Sequence, residues 1–138
     1  MELIEEKLRT LTSYHGVIVN VRLDEARLPD GSTAKREVVE HPGGVTVLPL
    51  EPDGTVWCVR QYRYPFSRTL LEVPAGKLEP GAAHLDPGEF LNVERHPLEE
   101  LVQMALDGEL CDGKTTVALL KTQLLLARER GEAASGGL

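Results

Sequence analysis

The sequence predicts an α+β domain, and three observations predict it. The N-terminal half carries short β-branched runs broken by Pro, Asp and Gly, the C-terminal half carries two stretches with apolar residues at helical spacing, and a Pro/Gly-rich middle separates them. His15 to Asp24 alternates, with Val17, Val19 and Val21 on one face, the period of a half-buried strand. Leu28-Pro29-Asp30-Gly31-Ser32 supplies a turn, since Pro presets φ, Asp can bond its own backbone and Gly accepts positive φ. Ala34 to His41 then returns as the second arm of a hairpin. A second hairpin follows, Gly44 to Leu50 and Thr55 to Tyr62, joined at Glu51-Pro52-Asp53-Gly54.

Beyond this lie a short apolar run, Leu70 to Val73, the Pro74-Ala75-Gly76 turn, and a short strand over Glu89 to Glu94. Pro97 suits the first turn of a helix in which Leu98, Leu101, Val102, Ala105 and Leu106 recur, with Gly108 as its stop. A second helix is expected from Thr115 to about Arg130, with Val117, Leu120, Leu124 and Ala127 along one stripe and basic residues near its end. Residues 131–138 read as a flexible tail. The expected organisation is one domain over 1–130: an N-terminal hairpin region (1–43), strands with the start of a motif (44–81), then a strand and two helices (82–130).

Composition narrows the function. The 138 residues are 41% hydrophobic and 27% charged, enough for a core and a polar surface. The net charge of −7 argues against a nucleic-acid footprint or an anionic membrane as partner, but leaves room for a small phosphate-bearing ligand. Met1 to Leu8 carries Glu2, Glu5 and Glu6 rather than a basic start, so no signal peptide is visible, and no apolar run reaches membrane-spanning length. Cys58 and Cys111 make no metal or redox motif, and His15, His41, His84 and His96 lack ligand spacing. The default compartment is the cytoplasm.

Several segments together carry a resemblance. Arg60-Gln-Tyr-Arg-Tyr-Pro65 and Leu70-Leu-Glu-Val-Pro-Ala-Gly-Lys-Leu-Glu-Pro-Gly81 are its centre. Arg36-Glu-Val-Val-Glu-His-Pro-Gly43 lies upstream, with Leu85 to Glu94 and Asp112-Gly-Lys-Thr115 downstream. The chain resembles the ADP-ribose pyrophosphatase branch of the Nudix hydrolases, which implies a Nudix-like mixed β-sheet with helices. It also implies cleavage of ADP-ribose to AMP and ribose 5-phosphate with Mg²⁺ or Mn²⁺. The family's metal chemistry lies in the box G-x5-E-x7-R-E-U-x-E-E-x-G-U, with U bulky and apolar, because hard cations take carboxylate oxygens. With Gly76 as the first glycine, Ala82 stands where the first glutamate belongs and Phe90 where the arginine belongs.

The fold is therefore expected to be incomplete relative to the family, with most of the box and the following strands deleted at a join near Pro80-Gly81. A shifted register from Gly81 matches Arg95, Glu99 and Glu100. It puts Pro87 and His96 at two glutamate positions, Val102 at the closing glycine, and Pro97 where the catalytic helix should continue. Glu99 and Glu100 are thus the alternative metal ligands, and otherwise first-turn acids favoured by the helix dipole.

The resemblance further implies substrate-binding roles for Arg36, Glu37, Arg60, Arg63 and Glu72. It implies a metal-facing carbonyl at Ala75 and a water-assisting acid at Glu89. For Arg36 and Glu37 the competing reading is an exposed ion pair; for Ala75, an ordinary tight turn; for Glu89, a solvated acid. Strand alternation puts Arg60 and Tyr62 on one face and Gln61 and Arg63 on the other, so a regular strand cannot bring all four to one ligand. Glu72 lies inside an apolar strand, where a carboxylate must be paired or used. A deletion would leave open sheet edges, which favours a homodimer. The expected activity is absent or very weak hydrolysis of ADP-ribose or a related nucleotide sugar. The alternative is a non-catalytic nucleotide-sugar binder or pseudoenzyme acting through partners.

Overall fold

The computed structural model describes residues 3–77 and 90–131, which fall into two compact units, Met1–Gly43 and Gly44–Leu138. The β-branched runs predict some of the strands, but β1 and β7 lie outside them and the pairing is richer than two hairpins.

In the first unit, β1 (Glu6–His15), β2 (Asn20–Arg27) and β3 (Thr33–Glu40) form an antiparallel sheet in that order. β1 lacks alternation, and two register slips insert Leu8 and Leu11 as extra residues, which is why its sequence does not read as a strand. The expected strand over His15 to Asp24 is corrected: residues 16–19 are a turn, closed by the Gly16 N–H donating to the Val19 carbonyl at 2.9 Å. A Cβ on Gly16 would lie 2.7 Å from that oxygen, so the alternation of Val17 and Val19 yields to backbone geometry. The 28–32 loop forms as its residues dictate. Gly31 takes φ 84°, and Asp30 Oδ1 accepts from the Ser32 N–H at 2.9 Å. Asp24 is buried and accepts from Thr10 Oγ1 (2.7 Å) and Arg22 Nε (2.6 Å). Burial raises its pKa, but these bonds and nearby Lys7 outweigh that and hold the carboxyl below its ordinary value.

In the second unit, β5 (Thr55–Arg63) is central, flanked by β6 (Arg68–Glu72) and β8 (Leu91–Pro97), while β4 (Gly44–Thr46) pairs with β7 (Ala75–Lys77). The expected hairpin of Gly44–Leu50 on Thr55–Tyr62 survives only at its tip. There the Glu51 N–H donates to the Thr55 carbonyl at 2.8 Å, and Leu50 bridges Val56. Pro49 has no N–H to continue the ladder, and β4 pairs elsewhere. Every ladder among the described residues is antiparallel.

Helices α1 (Leu98–Leu106) and α2 (Gly113–Glu129) cover one face of the β6-β5-β8 sheet. Val56, Cys58, Leu71, Val73, Leu98, Leu101, Leu110 and Leu119 form the core between them. Leu101 and Leu119 are fully buried, each contributing roughly 1.5–3 kcal/mol relative to exposure. α2 begins at Asp112, whose carboxylate accepts from the Thr115 N–H at 2.8 Å and the Thr115 hydroxyl at 2.7 Å. That hydroxyl also accepts from the Val73 N–H at 3.1 Å, tying the helix start to the end of β6. The expected stripe on α2 is corrected: Val117 and Leu124 are 65% and 68% exposed, and the buried line runs through Thr115 and Leu119, with Ala118 and Leu126 packed beside it. Leucines surround this helix, so periodicity alone does not fix its phase. Among the described residues no helix is long and apolar enough to cross a membrane.

Candidate functional site

Strand β5 carries the arginines that matter, and its register decides where they go. Arg60 lies opposite Leu71 and Asn92, whereas Arg63 lies opposite Arg68. Arg60 and Arg63 therefore emerge on opposite faces of the sheet, as alternation predicts.

On one face, Arg63 Nε donates to the Glu72 oxygens at 2.9 and 3.2 Å, and Arg63 Nη2 bonds the same carboxylate. Glu72 is 3% exposed, so the acid in an apolar strand is satisfied by a guanidinium. Trp57 shares this face; its Nε1–H donates to Glu51 Oε1 at 2.7 Å, and the Arg95 guanidinium lies 5.0 Å from its ring centroid. Cys58 points the other way, into the core, where burial and the nearby Glu94 charge push its thiol up to about 11.

On the helix-covered face, Arg60 Nε and Nη2 donate in parallel to Glu94 Oε1 and Oε2 at 2.5 and 2.9 Å. His96 Nε2 lies 3.1 Å from Glu94 Oε2, and its Nδ1 lies 3.6 Å from Glu100 Oε1. The bonds from Arg60, then from His96, hold the Glu94 carboxyl at about 2. Glu94 and His96 are absent from the residues the sequence nominates. Their alternation along β8 is visible, but only the β5–β8 register puts them beside Arg60.

Arg36, in the first unit, pairs with Glu5 through Nε (2.8 Å) and Nη2 (2.6 Å), not with Glu37. Neighbouring strand positions send Glu37 to the opposite face, where it is exposed. The structure thus gives Arg36 an ion pair, with a different acid from the one expected.

The metal candidates do not assemble. Ala75 lies in β7 opposite Thr46, and Glu99 and Glu100 occupy the first turn of α1, with Glu100 turned toward His96. Mg²⁺ requires near-octahedral oxygen donors. Among the described residues no group of three or more His, Cys, Asp or Glu side chains is placed to hold an ion. Glu89 and the proposed join at Pro80-Gly81 lie outside the described residues.

Comparison with known proteins gives partial sequence matches and a fold. No family model matches the chain. It is 42% identical over 81 residues to a methanol dehydrogenase activator of Bacillus methanolicus, covering 58% of this chain and 44% of that protein. It is 40% identical over 82 residues to an ADP-ribose pyrophosphatase of Bacillus subtilis, covering 59% and 44%. An ADP-ribose pyrophosphatase of Mycobacterium tuberculosis is 39% identical over 74 residues, covering 54% and 36%. The matched segments thus span less than half the length of these curated relatives. A crystal structure of an ADP compounds hydrolase aligns over 96% of this chain and 100% of its own with a TM-score of 0.77, at 14% identity, which shows the fold. Over part of its length the chain is similar in sequence to ADP-ribose pyrophosphatases, and its fold is that of the ADP compounds hydrolase.

Proposed function

We propose that this chain is a relative of the ADP-ribose pyrophosphatases that keeps part of the nucleotide-sugar surface and lacks the metal-binding box, so that hydrolysis is absent or very weak. The observation that carries this reading is Ala82 and Phe90 at the box positions of the first glutamate and the arginine. The scattered placement of Ala75, Glu99 and Glu100 supports it, since a pyrophosphate cleaved in this way needs a metal to neutralise it and activate water. The ligand is ADP-ribose or a related nucleotide sugar, met by the Arg60 side of β5. The chain works in the cytoplasm as a homodimer, and a deletion near Pro80-Gly81 accounts for the lost box.

A second reading has its own support: the Bacillus methanolicus relative is named as an activator of another enzyme, which favours a pseudoenzyme acting through a partner. Calorimetric titration with ADP-ribose, with Mg²⁺ and with EDTA, tests the binding claim. Saturable heat in both buffers, with ADP-ribose recovered intact, is the expected result. No heat in either buffer would remove nucleotide-sugar binding and leave the partner reading.

A further inference from the structure

Each arginine that the resemblance nominates for substrate binding has a carboxylate of its own unit against its guanidinium: Glu5 on Arg36, Glu94 on Arg60 and Glu72 on Arg63. The Arg63 pair is closed, because Glu72 is buried. Arg60 is open. Its side chain is 37% exposed, Tyr62 stands two residues along on the same face at 56% exposure, and Asn92 lies directly opposite. Arg60 holds Glu94 with the two parallel N–H bonds by which a guanidinium grips a phosphate. His96 Nε2 meets Glu94 Oε2, the oxygen that also takes the Arg60 Nη2 bond, and its ring reaches toward Glu100 on α1.

We infer that Glu94 is a built-in competitor for the Arg60 fork and sets how tightly this face holds a phosphate or pyrophosphate group. The inference deepens the nucleotide-sugar reading by naming the donors that a diphosphate must take from Glu94. The Arg60 and His96 bonds hold the carboxyl at about 2, so it stays charged near neutral pH and its competition with a bound anion persists there.

The test is titration of wild type, Glu94→Gln, Glu94→Asp and the double variant Arg60→Gln/Glu94→Gln, first with inorganic pyrophosphate and then with ADP-ribose. Removing one negative charge in contact with the guanidinium should tighten pyrophosphate binding about tenfold in Glu94→Gln, and the double variant should lose the gain. Glu94→Asp keeps the charge but shortens its reach, so it should move the same way by less; it serves where Glu94→Gln does not fold. Pyrophosphate binding unchanged or weakened in the folded Glu94 variants would overturn the inference, even if ADP-ribose binds wild type. A pyrophosphate gain with no ADP-ribose binding in any variant would uphold the inference and overturn the nucleotide-sugar reading.

Discussion

Replacing Thr115 by Val tests the joint between α2 and the sheet. Thr115 is 1% exposed, and its hydroxyl donates to Asp112 at 2.7 Å while accepting from the Val73 N–H at 3.1 Å. Valine fills the same volume, so no cavity opens, but the Val73 N–H loses its partner beside a core residue. A buried donor left unsatisfied costs about 1–3 kcal/mol, and Asp112 keeps its bond from the Thr115 N–H, so the helix cap survives. Thr115→Ser keeps the hydroxyl and gives up one methyl group, about 0.8 kcal/mol. Urea unfolding followed by far-UV circular dichroism should place Thr115→Val about 2 kcal/mol below wild type, with Thr115→Ser between them and unchanged slopes. A Thr115→Val protein as stable as wild type, or more stable than Thr115→Ser, would refute the linkage between Asp112, Thr115 and Val73.

The remaining predictions address charge and core. Arg63→Met leaves buried Glu72 without its guanidinium and should cost about 3–5 kcal/mol in urea unfolding, while Arg63→Met/Glu72→Leu should recover most of the loss; equal losses in the two would contradict the pairing. The folded pKa of Glu94, about 2, lies below its ordinary 4.5, so the stability it contributes is present above pH 4.5 and is lost as pH falls through 2. Acid titration of wild type against Glu94→Gln should show a shallower decline for the variant between pH 4.5 and 2, and parallel curves would argue against the Arg60 bond. A disulfide reagent should label Cys111 in the native protein and Cys58 only on unfolding, because Cys58 is buried in the core with its thiol near 11; rapid labelling of both would contradict the core.

Local chemistry made part of this structure legible. The 28–32 and 51–54 turns form where Pro, Asp and Gly dictate, and α1 starts just after Pro97. The opposite faces of Arg60 and Arg63 follow from a two-residue period, and the need of Glu72 for a partner follows from its apolar neighbours. What stayed hidden depends on non-local register. β1 buries nothing and has bulges in place of alternation; β4 pairs with a strand about thirty residues away; and α2 offers leucines on every side, so its buried line is set by Val73 and the core rather than by its own period. Glu94 and His96 belong with the residues hidden in this way. Their place beside Arg60 exists only once β8 is laid against β5.

The central claim is loss of hydrolysis through loss of the box. The most direct measurement is AMP release from ADP-ribose in excess Mg²⁺, using protein whose intact mass matches 15.2 kDa, beside a Glu99→Gln/Glu100→Gln variant. The account predicts no appreciable AMP from either protein. Turnover by wild type that disappears in the variant would mean that Glu99 and Glu100 hold a working metal, and would contradict it.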